Sequence, residues 1–578
     1  MCSPMEDVTR EKIHNLLGHF SKNLYRAKDS SQIAQEALQL SLSLMNRDYS
    51  CMVVGNASGE LSAHYPSQLI VIEYEKANSQ KSMWGESISS ETIYESILDP
   101  TRVKDLISKA RFARCRARFP VPVIFFQGRH ICRSATLSGG PEIYGRSGLN
   151  FFFGKGSEEA TDLETCDEIP VPQTQTEWQL FDKVRSHDIR LLKTLSVGTI
   201  VDLMLEKKKV KFGLYVTSSE KVDRENRYND FVIISLPYPG CEFFSEFRDN
   251  GYNAESLKFD WNQNTVDVQL SLPQDSVAAS LDIKWSQYKT WDLVQLTQSY
   301  LRLILRQLQE GQTGILLHCI SGWDRTPLFI SLIRLSLWAD GHIHKSLSPL
   351  EILYLTLAYD WFLFGHDMAD RLSRGEEVLF FTFYFLKFIT GEDFVVTTRQ
   401  RTPRLGYLRN DSDVLLDGGV LLDGDLKGSN TSLNSSSSSL STRSQENPPL
   451  FFSASEEDPP CGSWQIISGT GSIRGSTSDS SSVHSRNSAC GVCSEGQESI
   501  ESCSTLVGDN SNSASISEHL FKRQECLNAV RSTFYQLYCS SVGFTFRNGP
   551  PEPAGFGTLL ENFAERVGFR AAPRTCPP

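Results

Sequence analysis

A cysteine and an arginine separated by five residues form the pair with the clearest chemical potential in this sequence. They lie in the segment His318-Cys319-Ile320-Ser321-Gly322-Trp323-Asp324-Arg325-Thr326. An apolar run at 315–317 precedes the segment and predicts a buried strand, and a helical pattern follows at 326–339. A cysteine between a strand and a helix start is close to the positive end of the helix dipole, which lowers the pKa of its thiol. The pattern therefore predicts that Cys319 is a nucleophilic thiolate.

The residues that follow Cys319 suit the binding of a tetrahedral phosphate. Backbone N–H groups curled around the cysteine would cradle the anion, and Gly322 would let the backbone bend inward without a side-chain clash. The planar guanidinium of Arg325 would grip two phosphate oxygens, and the Thr326 hydroxyl would help the thiolate to leave in a second step. We expect the substrate-binding residues of the loop to be Ile320, Ser321, Gly322, Trp323 and Thr326.

This loop predicts a phosphatase that works through a cysteinyl-phosphate intermediate. Covalent catalysis divides the reaction into attack by Cys319 and hydrolysis of the thiophosphate. An acid must protonate the leaving alcohol and a base must activate the water, and Asp324 inside the loop is the candidate for both. An acid from a distant loop is the alternative. The chemistry predicts no metal and no other cofactor. A helix, a buried strand, a loop and a second helix in this order indicate an α/β core.

Three stretches of the sequence resemble the myotubularin phosphoinositide 3-phosphatases. Residues 318–326 match the family's His-Cys-x-x-Gly-Trp-Asp-Arg-Thr signature. The Gly-Trp-Asp triplet distinguishes this signature from that of ordinary tyrosine phosphatases. Residues 116–121 with 133–134 resemble its Arg-x-Pro-Val and Arg-Ser/Cys-Ser segment, and 360–371 resemble its Trp-x-x-Phe-Gly-His-x-Phe-x-Asp-Arg block. The resemblance therefore covers the chain from about residue 110 to residue 389.

The resemblance implies roles, substrates and surroundings. Cys319 would be the nucleophile, Arg325 the phosphate clamp and Asp324 the acid, in a tyrosine-phosphatase-like fold with a central sheet flanked by helices. The substrates would be phosphatidylinositol 3-phosphate and phosphatidylinositol 3,5-bisphosphate on endosomal or autophagic membranes, with sister phosphatases or autophagy proteins as possible partners. Most active members have Asp where this chain has Ser321.

Two other functions remain open from the residues themselves. A protein phosphatase acting on phosphotyrosine, or on both types of phosphorylated residue, would use the same loop chemistry. A scaffold that binds phosphoinositides or sister phosphatases with little turnover would rely on the Ser-rich segment and the C-terminal helices. Release of phosphate from lipids, from phosphopeptides or from neither separates these hypotheses.

Composition places the chain among folded proteins. Its 578 residues are 40% hydrophobic and 22% charged, with a net charge of −12. This content excludes a wholly disordered or fibrous chain, and the acidic balance argues against nucleic acid as a partner. We expect no signal peptide at the start of the sequence and no membrane span at 378–389. Fourteen cysteines are then most simply reduced thiols of a cytoplasmic protein. The family resemblance adds the expectation that this protein associates peripherally with membranes.

The chain divides into four predicted regions. Residues 1–100 contain helices and strands packed on the core, and 101–398 form one large phosphatase domain. Residues 399–517 are Ser-rich and predicted to be disordered, and helices in 518–570 would pack back on the core. Within the phosphatase domain we expect an edge strand at 118–126, a helix at 286–309 and long helices over 350–389.

Some side chains have both a functional and a structural interpretation. Five cations cluster at Lys109, Arg111, Arg114, Arg116 and Arg118, where they could attract an anionic membrane surface or form a solvated helix face. We expect Trp323 to be exposed beside the bound phosphate at the rim of the pocket. A structural role is favoured for His366.

Overall fold

The structure is a computed structural model that describes residues 7–76, 99–139, 142–143, 173–211, 214–223, 225–273, 276–397 and 510–542. A five-stranded sheet in it positions the segment 318–326, which contains the predicted catalytic loop. In the described residues the strands are β1 (Tyr49–Gly55), β2 (Gln68–Glu75), β3 (Val121–Phe126), β4 (Arg129–Ala135), β5 (Leu137–Ser138), β6 (Val197–Asp202), β7 (Lys208–Lys211), β8 (Leu214–Ser218), β9 (Val232–Ser235) and β10 (Gly314–Cys319). The central sheet has the order β3-β4-β10-β6-β9, and β5-β8-β7 and β1-β2 form two smaller sheets.

The helices surround this sheet. In the described residues they are α1 (Arg10–Phe20), α2 (Gln32–Asp48), α3 (Pro100–Ala110), α4 (Gln173–Thr194), α5 (Phe244–Asp249), α6 (Ser276–Ala279), α7 (Leu293–Glu310), α8 (Arg325–Ala339), α9 (Pro349–Leu355), α10 (Met368–Arg374), α11 (Val378–Tyr384) and α12 (Asn510–Val542). A mixed sheet combined with these helices confirms the predicted α/β class.

Strand β10 is the centre of the sheet and is buried along its whole length. It pairs in parallel with β4 on one side and with β6 on the other. A fully apolar run is typical of a parallel strand covered on both faces, so the short run at 315–317 predicted this position correctly. Strand β3 pairs antiparallel with β4 at the edge of the sheet, which accommodates Pro122 as predicted.

Two helix predictions are wrong in their extent. The predicted helix at 286–309 is a 3-10 helix over Trp285–Thr290 followed by α7, because Asp292 adopts an extended backbone and caps α7 by accepting from the Gln295 N–H at 2.8 Å. The predicted long helices over 350–389 are short pieces that include a π-helix at Thr356–Phe362. Gly375 ends α10 in the left-handed region at φ +73°.

The N-terminal elements pack on the segment that follows α9. The Tyr359 hydroxyl is 3.2 Å from both the N–H and the carbonyl oxygen of Ile70 in β2. Arg47 of α2 forms an ion pair with Glu351 of α9 at 2.6 Å. These contacts place the N-terminal helices and strands directly against the phosphatase core, and the proposed boundary at residue 100 stays a prediction.

The predicted Ser-rich region lies outside the described residues up to residue 509. Helix α12 then begins at Asn510, earlier than the predicted boundary at residue 518, so the backbone of 510–517 is helical rather than disordered. The part of the predicted C-terminal helical region that follows residue 542 also lies outside the described residues. Among the helices that the structure describes, none combines the length and the apolarity needed to cross a bilayer.

Helix α12 packs on the core through a buried arginine. The guanidinium of Arg523 is fully buried and donates to the carboxylate of Asp340, to the carbonyl and hydroxyl of Ser336, and to the carbonyl of Ile389. Asp340 and Ser336 lie at the end of α8, the helix that begins at the catalytic loop. The C-terminal helix therefore stabilises the far end of α8.

Replacing Arg523 with methionine should lower the free energy of unfolding by about 3 kcal/mol. The substitution leaves the Asp340 carboxylate buried without its cationic partner, and breaking a buried ion pair costs about 3–5 kcal/mol. Urea unfolding measures this change. The exposed neighbour Lys522 offers a control, since Lys522→Met should change stability by less than about 0.5 kcal/mol. Equal effects of the two substitutions would contradict the stabilising role of Arg523.

Candidate active site

The catalytic loop connects the end of β10 to the start of α8. Cys319 is the last residue of the strand and Arg325 is the first of the helix, and both are buried. Gly322 turns the loop at φ +71°, and a Cβ added there would lie 2.7 Å from the carbonyl oxygen of Ser134 in β4. Only glycine combines this backbone conformation with so close an approach to the neighbouring strand, as predicted.

The sulfur of Cys319 accepts two hydrogen bonds from its own loop and helix. The Gly322 N–H and the Thr326 hydroxyl both donate to Sγ at 3.2 Å. Burial alone would raise the pKa of the Cys319 thiol, but Arg325 and the Thr326 hydrogen bonds lower it below its ordinary value. The structure therefore favours a thiolate at the predicted nucleophile, and the Thr326 contact expected from the sequence is present.

One end of the Arg325 guanidinium is anchored behind the loop. Its Nη1 donates to the carbonyl of Leu203 at 2.8 Å and to the carbonyl of Tyr238 at 3.0 Å. These two carbonyls orient the plane of the group. The edge formed by Nε and Nη2 is the one that can hold two phosphate oxygens in a bidentate contact.

Asp324 is buried in an ion pair that the sequence analysis missed. Both of its carboxylate oxygens accept from Arg371 at 3.1 Å, and Nδ1 of His366 is 3.1 Å from Oδ1. Burial alone would raise the pKa of the Asp324 carboxyl, but Arg371 and His366 hold it well below its usual range. Asp324 is therefore an anion that can accept a proton from water, and it must first take up a proton to act as an acid.

The block at 360–371 contained the signal for this pair. It places His366 and Arg371 five residues apart, and the structure turns both toward Asp324. The resemblance marked the block as part of the family pattern, but the sequence analysis gave its residues no partner. The contact between His366 and Asp324 also gives that histidine a place beside the loop rather than a purely structural role.

The remaining loop residues differ in exposure. Ile320 is half-buried and its carbonyl accepts from the Thr136 N–H, whereas Ser321 is buried. The expectation that Trp323 is exposed is wrong, because only 8% of its surface is accessible. The guanidinium of Arg116 lies 4.2 Å from the centre of its ring, and the His64 ring packs against it edge-on at 5.3 Å. The N-terminal region and the segment before β3 therefore cover this side chain.

Two of the five cations in the cluster at 109–118 are not surface features. Arg114 is fully buried between the carboxylates of Asp188 and Glu220, and Arg118 is buried beside the loop. Lys109 remains exposed and pairs with Asp105 at 2.7 Å. Both interpretations from the sequence, a membrane-attracting patch and a solvated helix face, are wrong for the two buried arginines because the chain folds them into the core.

A buried group of residues with metal-ligand chemistry lies beneath the loop. Atoms of Asp202, Glu220 and His318 lie within 4.8 Å of one another. Nε2 of His318 is 2.9 Å from Glu220, which also pairs with Arg114. Burial alone would lower the pKa of His318, but Glu220 and Asp202 raise it above its ordinary value. His318 and Arg114 both pair with Glu220, so we assign the group to ion pairing that supports β10.

Replacing Asp324 with asparagine should reduce the rate of phosphate release by about 10²-fold or more. The amide cannot take up or deliver the proton, and positioned acid–base groups contribute about 10²–10⁴-fold. Single-turnover release of phosphate measures the effect. Asp370 also pairs with Arg371 but lies outside the loop, so Asp370→Asn is the matched control and should cost less than about tenfold. A loss below tenfold for Asp324→Asn would mean that the proton is carried by another group.

Comparisons of the sequence with known proteins identify relatives of this chain. The sequence model described as "Myotubularin-like phosphatase domain" matches residues 282–452. The protein named phosphatidylinositol-3,5-bisphosphate 3-phosphatase MTMR14 is 42% identical in Homo sapiens and 40% identical in Mus musculus, each match covering 96% of this chain and 94% of the relative. Phosphatidylinositol-3,5-bisphosphate 3-phosphatase MTMR4 of Xenopus laevis is 29% identical over 24% of this chain and 12% of its own length.

Proposed function

The chain belongs to the myotubularin family, and on that premise we propose that it is a lipid phosphatase that removes the 3-phosphate of phosphatidylinositol 3-phosphate and phosphatidylinositol 3,5-bisphosphate. The resemblance inferred from the motifs is confirmed by the near full-length similarity. The observation that carries the mechanism is the loop itself, in which Cys319 has a lowered thiol pKa and Arg325 stands at the start of the following helix.

The first step of the proposed reaction is displacement at phosphorus. The thiolate of Cys319 attacks the 3-phosphate, the S–P bond forms, and the bond from phosphorus to the inositol 3-oxygen breaks. The guanidinium of Arg325 binds the phosphate oxygens and stabilises the charge that develops on them. The leaving oxygen must receive a proton, which Asp324 delivers if it has first taken one up, in keeping with the role predicted for it.

The second step releases inorganic phosphate. Water attacks the phosphorus, Asp324 as a carboxylate accepts a proton from that water, and the S–P bond breaks to regenerate the thiolate. The Thr326 hydroxyl stabilises the departing thiolate through its hydrogen bond to Sγ. The ionised state in which Arg371 and His366 hold Asp324 suits this step.

The finer features of the fold and its surroundings remain proposals. We infer the tyrosine-phosphatase-like arrangement from the strand–loop–helix geometry around Cys319 and from the family. Peripheral association of a cytoplasmic protein with endosomal or autophagic membranes, and contact there with sister phosphatases or autophagy proteins, is suggested by the proposed substrates.

A phosphate-release assay tests the proposal against both alternatives. The purified full chain is offered 3-phosphorylated inositol lipids in vesicles, the matching 4-phosphorylated lipid, and phosphotyrosine peptides. We expect release from the 3-phosphorylated lipids only. Equal release from the peptides would favour the protein phosphatase, whereas vesicle binding with no release from any substrate would favour the scaffold.

A further inference from the structure

Two buried arginines lie against the outer side of the catalytic loop, and the sequence analysis gave neither of them a role. Arg118 donates through Nη2 to the carbonyl of Gly322 at 3.1 Å, and Arg133 donates to the same oxygen at 2.9 Å. Each has about 1% of its surface accessible. Gly322 thus directs its carbonyl toward two guanidinium groups while its N–H donates to the sulfur of Cys319.

The other bonds of these two side chains also go to backbone carbonyls. Arg118 donates to the carbonyls of His64 and Phe364, and Arg133 donates to the carbonyl of Asp360. In the described part of the chain, no carboxylate forms an ion pair with either guanidinium. The Asp360 carboxylate is engaged in a bidentate pair with another arginine, Arg334.

This arrangement differs from that of four other buried arginines in the described residues. Arg114, Arg334, Arg371 and Arg523 each pair with at least one buried carboxylate. A buried charge without a counterion is costly, and an anion bound or formed beside it would reduce that cost. Arg118 and Arg133 leave two positive charges beside a loop whose thiolate and phosphate ligand are both anions.

We propose that Arg118 and Arg133 are positioning residues of the catalytic loop, whose charges are balanced by the Cys319 thiolate and by the phosphate of the substrate. Through the shared Gly322 carbonyl they hold the loop in the conformation that turns the Gly322 N–H toward the sulfur. This inference rests on the proposed phosphatase function for the phosphate, whereas its effect on the thiolate can be measured without any substrate.

The electrostatics of the site are consistent with this geometry. Burial lowers the pKa of Arg118 to about 9, and the nearby Cys319 acts in the opposite direction. Burial likewise lowers the pKa of Arg133, and Asp360, Tyr65 and Cys319 oppose the change. Because the interaction is mutual, each guanidinium favours the anionic form of Cys319.

Other charged groups also face the sulfur and must be kept constant in a test. Arg325 favours the thiolate, and Asp324 opposes it from within the loop. On the strand side, His318 precedes Cys319 and is paired with Glu220. In the residues that the structure describes, Arg118 and Arg133 donate to backbone carbonyls and not to any of these four side chains. Substitutions at the two arginines therefore leave the hydrogen bonds of these side chains in place.

The test is the pH dependence of alkylation of Cys319 in the full chain. Iodoacetamide reacts with the thiolate, and mass spectrometry of the peptide containing Cys319 separates this thiol from the thirteen others. Arg118→Gln and Arg133→Gln keep a donor for the Gly322 carbonyl but remove the charge. We expect each to raise the midpoint of the alkylation profile by about one pH unit, the lower end of the range for a neighbouring opposite charge.

Charge and hydrogen bonding are separated by a second pair of variants. Arg118→Lys and Arg133→Lys keep the charge and should restore most of the wild-type midpoint. Arg185 supplies the matched control, because it is also fully buried and donates to two carbonyls, those of Ala113 and Ser138, away from the loop. Arg185→Gln should leave the midpoint within about 0.2 pH unit of wild type.

Three outcomes would overturn the inference. They are unchanged midpoints in both glutamine variants, a shift in Arg185→Gln as large as theirs, and lysine variants that behave like the glutamine ones. The lipid assay is independent of this result. A wild-type protein that releases no phosphate from 3-phosphorylated lipids, yet shows the charge-dependent midpoint, contradicts the proposed function and supports the role of the two arginines in forming the thiolate.

Discussion

Replacing Cys319 with serine should reduce phosphate release from 3-phosphorylated inositol lipids by about 10⁴-fold or more. The serine hydroxyl has the size of the thiol but remains protonated at neutral pH, so the loop loses its anionic nucleophile. Removal of the nucleophile from a covalent enzyme has an effect of this order. The measurement is single-turnover release of phosphate from vesicles, because it isolates the chemical steps from membrane binding and product release.

The control for this substitution is a second buried cysteine near the loop. Cys132 is fully buried in β4, where it pairs in register with Leu316 of β10. Burial raises the pKa of its thiol above the ordinary range, so this cysteine is not a thiolate at neutral pH. Cys132→Ser should therefore change the rate by less than about tenfold, while it lowers the free energy of unfolding about as much as Cys319→Ser does. Activity that survives in Cys319→Ser would exclude the cysteinyl-phosphate mechanism.

Replacing Arg325 with lysine should reduce the same rate by about 10²–10³-fold, the cost of removing one preorganised donor to the developing charge. Lysine keeps the positive charge but lacks the planar fork. Its single ammonium group cannot form the anchoring bonds to the Leu203 and Tyr238 carbonyls and a bidentate contact with phosphate at the same time. Vanadate, which resembles the pentacoordinate phosphorus, should bind more weakly in the variant by a similar factor.

A matched substitution separates this effect from the general loss of an arginine. Arg306 of α7 forms a partly exposed ion pair with Glu310 four residues later, and Arg306→Lys should leave the rate within about twofold of wild type, because exposed pairs contribute little. A rate for Arg325→Lys close to that of Arg306→Lys would show that charge alone is sufficient at position 325, and would contradict a bidentate clamp.

The catalytic loop could be predicted from the sequence because its chemistry is local. Cys319, Gly322, Arg325 and Thr326 lie within eight consecutive residues, between an apolar strand and a helix start. Their contacts, such as Thr326 to the sulfur, therefore form as soon as the strand and the helix do. The edge position of β3 could also be predicted from a local feature, because a proline has no N–H to donate to a neighbouring strand in the middle of a sheet.

The boundaries of the helices were harder to predict because the tertiary structure decides where they break. Apolar residues dominate 352–364 and 378–389, and apolar stretches of this length predict long helices. The chain instead turns at Gly365 and Gly375, both with positive φ, and forms a π-helix between α9 and Gly365. These breaks bring the block at 360–371 back to the loop.

The sequence by itself identified the family and predicted the nucleophile with the loop that surrounds it, because the residues that carry these predictions lie close together along the chain. Only the tertiary structure decided the state of Asp324, which depends on Arg371 from a helix 47 positions later. It also decided the fate of the cations at 114–118, which the composition could assign only to a surface. Burial places Arg118 against the Gly322 carbonyl of the loop, where the Cys319 thiolate and the phosphate of the substrate balance its charge in the role proposed above, because a charge removed from water is stabilised by a nearby opposite charge.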